Sequence, residues 1–272
     1  MDRIRNLQLV GDELIRLGVP VEEVAFYDSV RFREIEERYP DFIAAYARYI
    51  KSQNFTNDYL IDAEKKVEII AGEMSKYAAE IGHRRCIDLA MAVGRMLEAV
   101  GVWNYVVLGA LSVEVAGDES TRKIIHAFGE MDPGATVMGH AWICAPPFSI
   151  VDVSVAYQPW GERLEALIPR PVLAKEENGS PADIETLVDH DLLMWNLMRG
   201  VRLTVADVAR SQSGLPELFR DFPPIDIVRD GIKLRYIPTA FSACAEGFSD
   251  MGADGGIPAE RLWLDRVQPL LD

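Results

Sequence analysis

His140, in His140-Ala141-Trp142, and Asp152, in Ile150-Val151-Asp152, flank a Pro146-Pro147 turn. Residues 139–155 therefore read as two short strands of a hairpin. Period-2 alternation puts His140, Trp142 and Cys144 on one face and Ala141, Ile143 and Ala145 on the other. A hairpin symmetric about Pro146 sets His140 directly opposite Asp152, with Cβ atoms roughly 4.5–5.5 Å apart. At that reach a carboxylate holds an imidazole in one tautomer and orientation, as a general base requires. The parity is demanding: a one-residue slip in register turns Asp152 to the other face.

A base of this kind needs a nucleophile, and Cys86 is the candidate. It opens a stretch in which Leu89, Ala92, Val93, Met96, Leu97 and Val100 are spaced as the buried face of a helix ending at Gly101. Unpaired N–H groups and the positive end of the helix dipole favour a thiolate there. Arg84 and Arg85 add positive charge, while Asp88 opposes it if it points at the sulfur. A lone cysteine is more often a small buried hydrophobe. What gives Cys86 weight is the ordered set of nucleophile, base and orienting carboxylate.

The other reactive residues carry less. His83-x-x-Cys86 and His140-x-x-x-Cys144 have zinc-ligand spacing. On a straight strand, however, residues 140 and 144 lie about 13 Å apart, so no metal is expected. His83 reads as a loop or capping residue, His126 as a half-buried strand residue and His190 as solvated. Cys144 reads as core or cleft wall, Cys244 as structural. Gln53 and Asn54 are polar candidates for an oxyanion contact.

The elements that must position these groups follow from periodicity. Residues 1–80 are mostly helical, with a helix starting near Pro40 and a long one capped by Asn57 or Asp58 and running to Glu80. After the Cys86 helix, turns at Gly117-Asp118 and Asp132-Pro133-Gly134 separate β-rich runs, predicting an antiparallel meander of four strands. Beyond Pro159 come helical stretches over 184–199 and 201–210, a strand over 232–237, a glycine-rich loop over 247–256 and a closing amphipathic helix over 262–271. The loop lacks the Lys-Ser/Thr ending of a phosphate-binding loop.

Composition narrows the function classes. The chain has 272 residues, 49% of them hydrophobic, and a formal net charge of −15. That charge argues against nucleic acid as a partner. Three cysteines make a disulfide framework improbable, and no secretory leader or membrane span is visible, so a cytoplasmic protein is expected.

Cys86-Ile87-Asp88-Leu89-Ala90, residues 97–102, His140-Ala141-Trp142 and Ile150-Val151-Asp152 together resemble the blocks of the transglutaminase-like superfamily, which has the papain-like cysteine fold. The resemblance covers roughly residues 65–157. It implies an α+β fold: a core (65–157) in which the Cys86 helix packs on an antiparallel sheet, a helical N-terminal extension (1–64) and a mixed C-terminal region (158–272) packed on the core. It implies that Cys86, His140 and Asp152 form a catalytic triad acting on an amide or ester through a thioester, with Trp142 contacting substrate and no cofactor or metal required. The expected partner is a peptide, a protein or a small amide or ester. Arg84, Arg85 and Ile87 stand where the family usually has Gly or Trp beside the cysteine, which leaves the oxyanion hole unassigned apart from the Cys86 N–H. The competing expectation is a catalytically inactive module of the same fold that binds a peptide or protein partner.

Overall fold

The structure, a computed structural model, describes residues 10–82, 85–128, 139–175, 179–212, 214–244, 247–249, 251 and 257–271. It is a mixed α+β architecture built on one antiparallel sheet. The N-terminal part is helical: residues 10–16, α1 (Val30–Glu36), α2 (Ile43–Ser52) and the 25-residue α3 (Asn57–Ile81). Thr56, one residue before the expected cap, accepts the Tyr59 N–H and starts α3. Gly82, at φ +76°, stops it. The next helix, α4, spans Cys86–Ala99 and ends before Gly101, also at φ +76°.

Among the described residues seven strands follow: β1 (Tyr105–Val115), β2 (Asp118–Ile125), β3 (His140–Ala145), β4 (Phe148–Asp152), β5 (Val172–Ala174), β6 (Ile225–Arg229) and β7 (Ile232–Ser242). The sheet order is β5-β4-β3-β1-β7-β6, with β2 also on β1. This differs from a four-strand meander. β1 is long enough to pair with two strands in succession: residues 105–109 with β3 and residues 111–115 with β2. Its other neighbour along almost its whole length is β7. Strands from the C-terminal region, expected to pack on the core, are therefore part of the core sheet. The near-continuous apolar run of β1 fits a central strand buried on both faces, whereas β2 carries polar residues and buries none of them fully.

Two apolar layers hold the sheet. On one face, α3 and α4 pack Val67, Ile70, Met74, Leu89, Val93 and Met96 against Ala141, Ile143, Ala145 and Val151. On the other, Trp142, Ile150, Leu111 and Tyr236 meet the N-terminal helices and the C-terminal residues Leu164, Leu215 and Phe222. The alternation of β3 thus assigns its residues to two separate cores. The helix His190–Met198 (α5) buries none of its residues and exposes Met194, Trp195, Leu197 and Met198. Val205–Ser211 (α6) begins with a full capping box between Thr204 and Asp207, and α7 spans Leu215–Asp221. Helix and turn continue from Ala259 to Leu270. Among the described residues no helix is long and apolar enough to cross a membrane.

Candidate active site

His140 begins β3, and Asp152 ends β4. The hairpin does not have the symmetric register. The Pro146-Pro147 turn closes on the pair Ala145–Phe148, one residue out of the symmetric pairing. An irregularity between Ala145 and Ile143 adds a second shift, so Ile143 pairs with Val151. Each shift alone would reverse the face of every following residue. Two restore it. His140 and Asp152 are therefore diagonal neighbours on the same face, and the imidazole Nε2 lies 2.6 Å from Asp152 Oδ2.

The carboxylate is buried and saturated with donors. Tyr236 OH on β7 donates to Oδ2 at 3.1 Å. Oδ1 accepts the Ser154 N–H at 2.9 Å, the Ser154 hydroxyl at 3.1 Å and the Val155 N–H at 3.0 Å. This last set is an Asx-type turn, in which a short side chain satisfies backbone donors two and three residues on. Burial by itself raises the pKa of Asp152, but the charge and hydrogen bond of His140, with the Ser154 and Tyr236 bonds, hold it below the usual carboxylate range.

Cys86 comes to the pair from α4, whose buried side packs on the opposite face of β3. The thiol is half-buried and lies beside the His140 imidazole and the Ala141 N–H. Burial pushes the Cys86 thiol up. The hydrogen bond and charge of His140, followed by the Ala141 N–H, outweigh burial and bring it below its ordinary value, while Asp152 opposes them. His140 shows the complementary shift. Burial lowers its pKa, but the Asp152 charge and hydrogen bond, and then Cys86, raise it well above that of a free imidazole. The proton of this coupled pair consequently favours nitrogen over sulfur. The His140 contact with Sγ is looser than a full hydrogen bond, and the buried Nδ1 has no other partner. Among the described residues only Thr186 Oγ1 shares that condition.

No side chain caps the start of α4, so its first N–H groups, that of Cys86 among them, point outward without an intrahelical partner. His140 lines a cleft of about 440 Å³ with Ile87, Gly109, Gly139, Thr239 and Phe241. Arg48, held by Asp221 at 2.8 Å, also lines it. Gly109, paired with His140, is the tightest point: a Cβ there would sit 2.0 Å from the Ile237 carbonyl oxygen and 2.8 Å from the Trp142 ring. The β1–β7 register shifts at Gly109, leaving Thr239 as the extra residue at the edge of the cleft.

Other expected site residues lie elsewhere. Trp142 is buried at 2% exposure and lines a different cavity, not the cleft at His140. Gln53 and Asn54 line that second cavity too, and the Gln53 amide donates to Tyr49 O and Ser52 Oγ. Cys144 is half-buried, with Sγ donating to Phe148 O at 3.5 Å, and Cys244 is buried against Met251. His126 meets Thr186 O at 3.2 Å, and His190 is exposed. His83 and the 247–256 loop, apart from residues 247–249 and 251, lie outside the described residues. Among the described residues no group of three or more His, Cys, Asp or Glu side chains is arranged to hold a metal ion. Sequence reasoning missed Tyr236, Gly109 and Ser154. Only Ser154 had a local signal, the Asp-x-Ser spacing of an Asx turn.

No family model, curated protein or solved structure matches the chain.

Proposed function

We propose that the protein is a thiol-dependent acyl-transfer enzyme or hydrolase of transglutaminase-like type, with Cys86 as nucleophile, His140 as general base and acid, and Asp152 as the residue that orients His140. The observation that carries this reading is the His140–Asp152 pair at 2.6 Å, with the unpartnered Nδ1 of the same ring beside a thiol whose pKa is lowered. The sulfur attacks the carbonyl carbon of an amide or ester. Nδ1 holds the thiol proton and delivers it to the leaving nitrogen or oxygen as the C–N or C–O bond breaks. Asp152 keeps the ring oriented and stabilises the imidazolium. The Cys86 N–H at the open start of α4 is the oxyanion donor on hand. Water or an amine then attacks the thioester carbon as His140 takes its proton; the C–S bond breaks, Cys86 leaves as the thiolate beside the imidazolium, and the acid or the new amide is released.

The test is the alkylation of the three cysteines by iodoacetamide across pH 5–9, read peptide by peptide, with a burst assay on an activated ester. Cys86 should react much faster than Cys144 and Cys244, and its rate should persist into mildly acidic pH. Equal, slow labelling of all three would sink the catalytic reading and favour a non-catalytic binding module.

A further inference from the structure

The second cavity, about 510 Å³ in volume, lies on the Trp142 face of the sheet. Trp142, Tyr236, Phe222 and Phe241 supply ring walls, and Gln53 and Asn54 supply amides. None of Cys86, His140 or Asp152 lines it, while Phe241 is a wall shared with the cleft at His140.

We propose that this cavity is a second binding site, for a small ring-bearing apolar molecule with one hydrogen-bond donor, and that its occupancy acts on His140. The volume falls in the range of small-molecule sites, which are mostly apolar with a few placed polar groups. Aromatic walls favour flat rings through edge and face contacts. The Gln53 Nε2 is already committed to Tyr49 O and Ser52 Oγ, which leaves the Gln53 carbonyl oxygen to accept from a hydroxyl or amine of the ligand.

The route to His140 is short. The Trp142 ring lies 6.4 Å from the His140 ring at 23° to it, and 5.1 Å from the Tyr236 ring. Tyr236 OH donates to the same Asp152 oxygen that holds Nε2. Trp142 and Tyr236 are the buried floor of the cavity, so a molecule seated over them acts by shifting their packing: Tyr236 carries the shift to the Asp152 oxygen that holds Nε2, and Trp142 carries it to the neighbouring imidazole ring. The coupling rests on the proposed function, whereas the binding does not.

Equilibrium dialysis with 1-naphthalenemethanol separates the two. Saturable one-to-one binding is expected, weakened at least about tenfold by Leu60→Trp and by Cys144→Phe, both at residues lining the cavity. Ile87→Ala in the cleft and Trp195→Ser on the exposed face of α5 should leave binding unchanged. Absence of saturable binding, binding that survives both filling variants, or loss of binding in Ile87→Ala overturns the site. For the coupling, the saturated protein should alkylate Cys86 at a rate altered about fivefold, with a matching shift of the His140 imidazole NMR signals, and the Leu60→Trp variant should show neither. Binding with no change in either readout overturns the coupling. A Cys86 that is unreactive with and without the probe counts against the proposed function, and dialysis and the imidazole signals still decide this proposal.

Discussion

Five hydrogen bonds converge on the two oxygens of Asp152, from His140, Tyr236, Ser154 twice and Val155. A buried carboxylate so supplied stays ionised, and an ionised Asp152 is what raises the pKa of His140 and leaves sulfur the poorer site for the proton. Asp152→Asn keeps the shape and removes the charge. It should lower the acylation rate by on the order of 10³-fold, measured as the burst with an activated ester. Tyr236→Phe removes one of the five donors. It should cost about 1.5–3 kcal/mol in urea unfolding and reduce the rate far less than Asp152→Asn, because four donors remain. His140→Ala should move the onset of Cys86 alkylation to higher pH, since burial then acts on the thiol without the imidazole to offset it. An unchanged alkylation profile in that variant would show that His140 does not act on the sulfur.

The hairpin that carries His140 and Asp152 works by cancellation: one register shift at the Pro146-Pro147 turn and a second between Ala145 and Ile143 return Asp152 to the His140 face. The residue pattern predicted the shared face. It could not count the shifts, because a turn closure and a bulge are set by the strands on either side. On the facing strand, Gly109 lets β7 and the Trp142 ring approach within distances that no Cβ tolerates. Gly109→Ala should therefore cost about 3 kcal/mol or more, read as a fall in the urea midpoint at unchanged slope, with labelling of Cys86 slowed in the fraction that remains folded. α4 is the most legible element: its apolar spacing, its start at Cys86 and its end before Gly101 are all local signals, and they agree.

Across the whole molecule, the N-terminal helices, α4 and the C-terminal region are tied by a partly buried polar cluster. Tyr27 OH donates to Glu98 at 2.7 Å. Arg95 pairs with Glu98 at 3.0 Å, with Asp28, and with the Cys244 carbonyl. Burial is the largest influence on Glu98 and, despite Tyr27 and Arg95, raises its pKa to about 7. A carboxyl raised on folding contributes stability that is full below its unfolded pKa of about 4.3 and is lost as pH rises through about 7. Thermal melts should accordingly show Tm falling from pH 5 to pH 7.5, and Glu98→Gln should flatten that slope. Arg95 keeps Asp28 as a partner when Glu98 is neutral. A slope unchanged in Glu98→Gln would remove Glu98 as its source.

The amino-acid sequence by itself determined the candidate site residues, the helix that presents Cys86, and the two strands that carry His140 and Asp152. Those features are written in periodicity, caps and turn residues, which act over a few positions. Only the tertiary structure decided that β7, more than a hundred residues after β1 in the chain, completes the sheet and brings Tyr236 to Asp152. The same holds for the placement of Trp142 in a second cavity and for the arrival of Cys86, rather than Cys144, at the imidazole. The physical reason is that pairing between distant strands and the sum of register shifts depend on burial shared across the whole sheet, and no short stretch of residues carries that information.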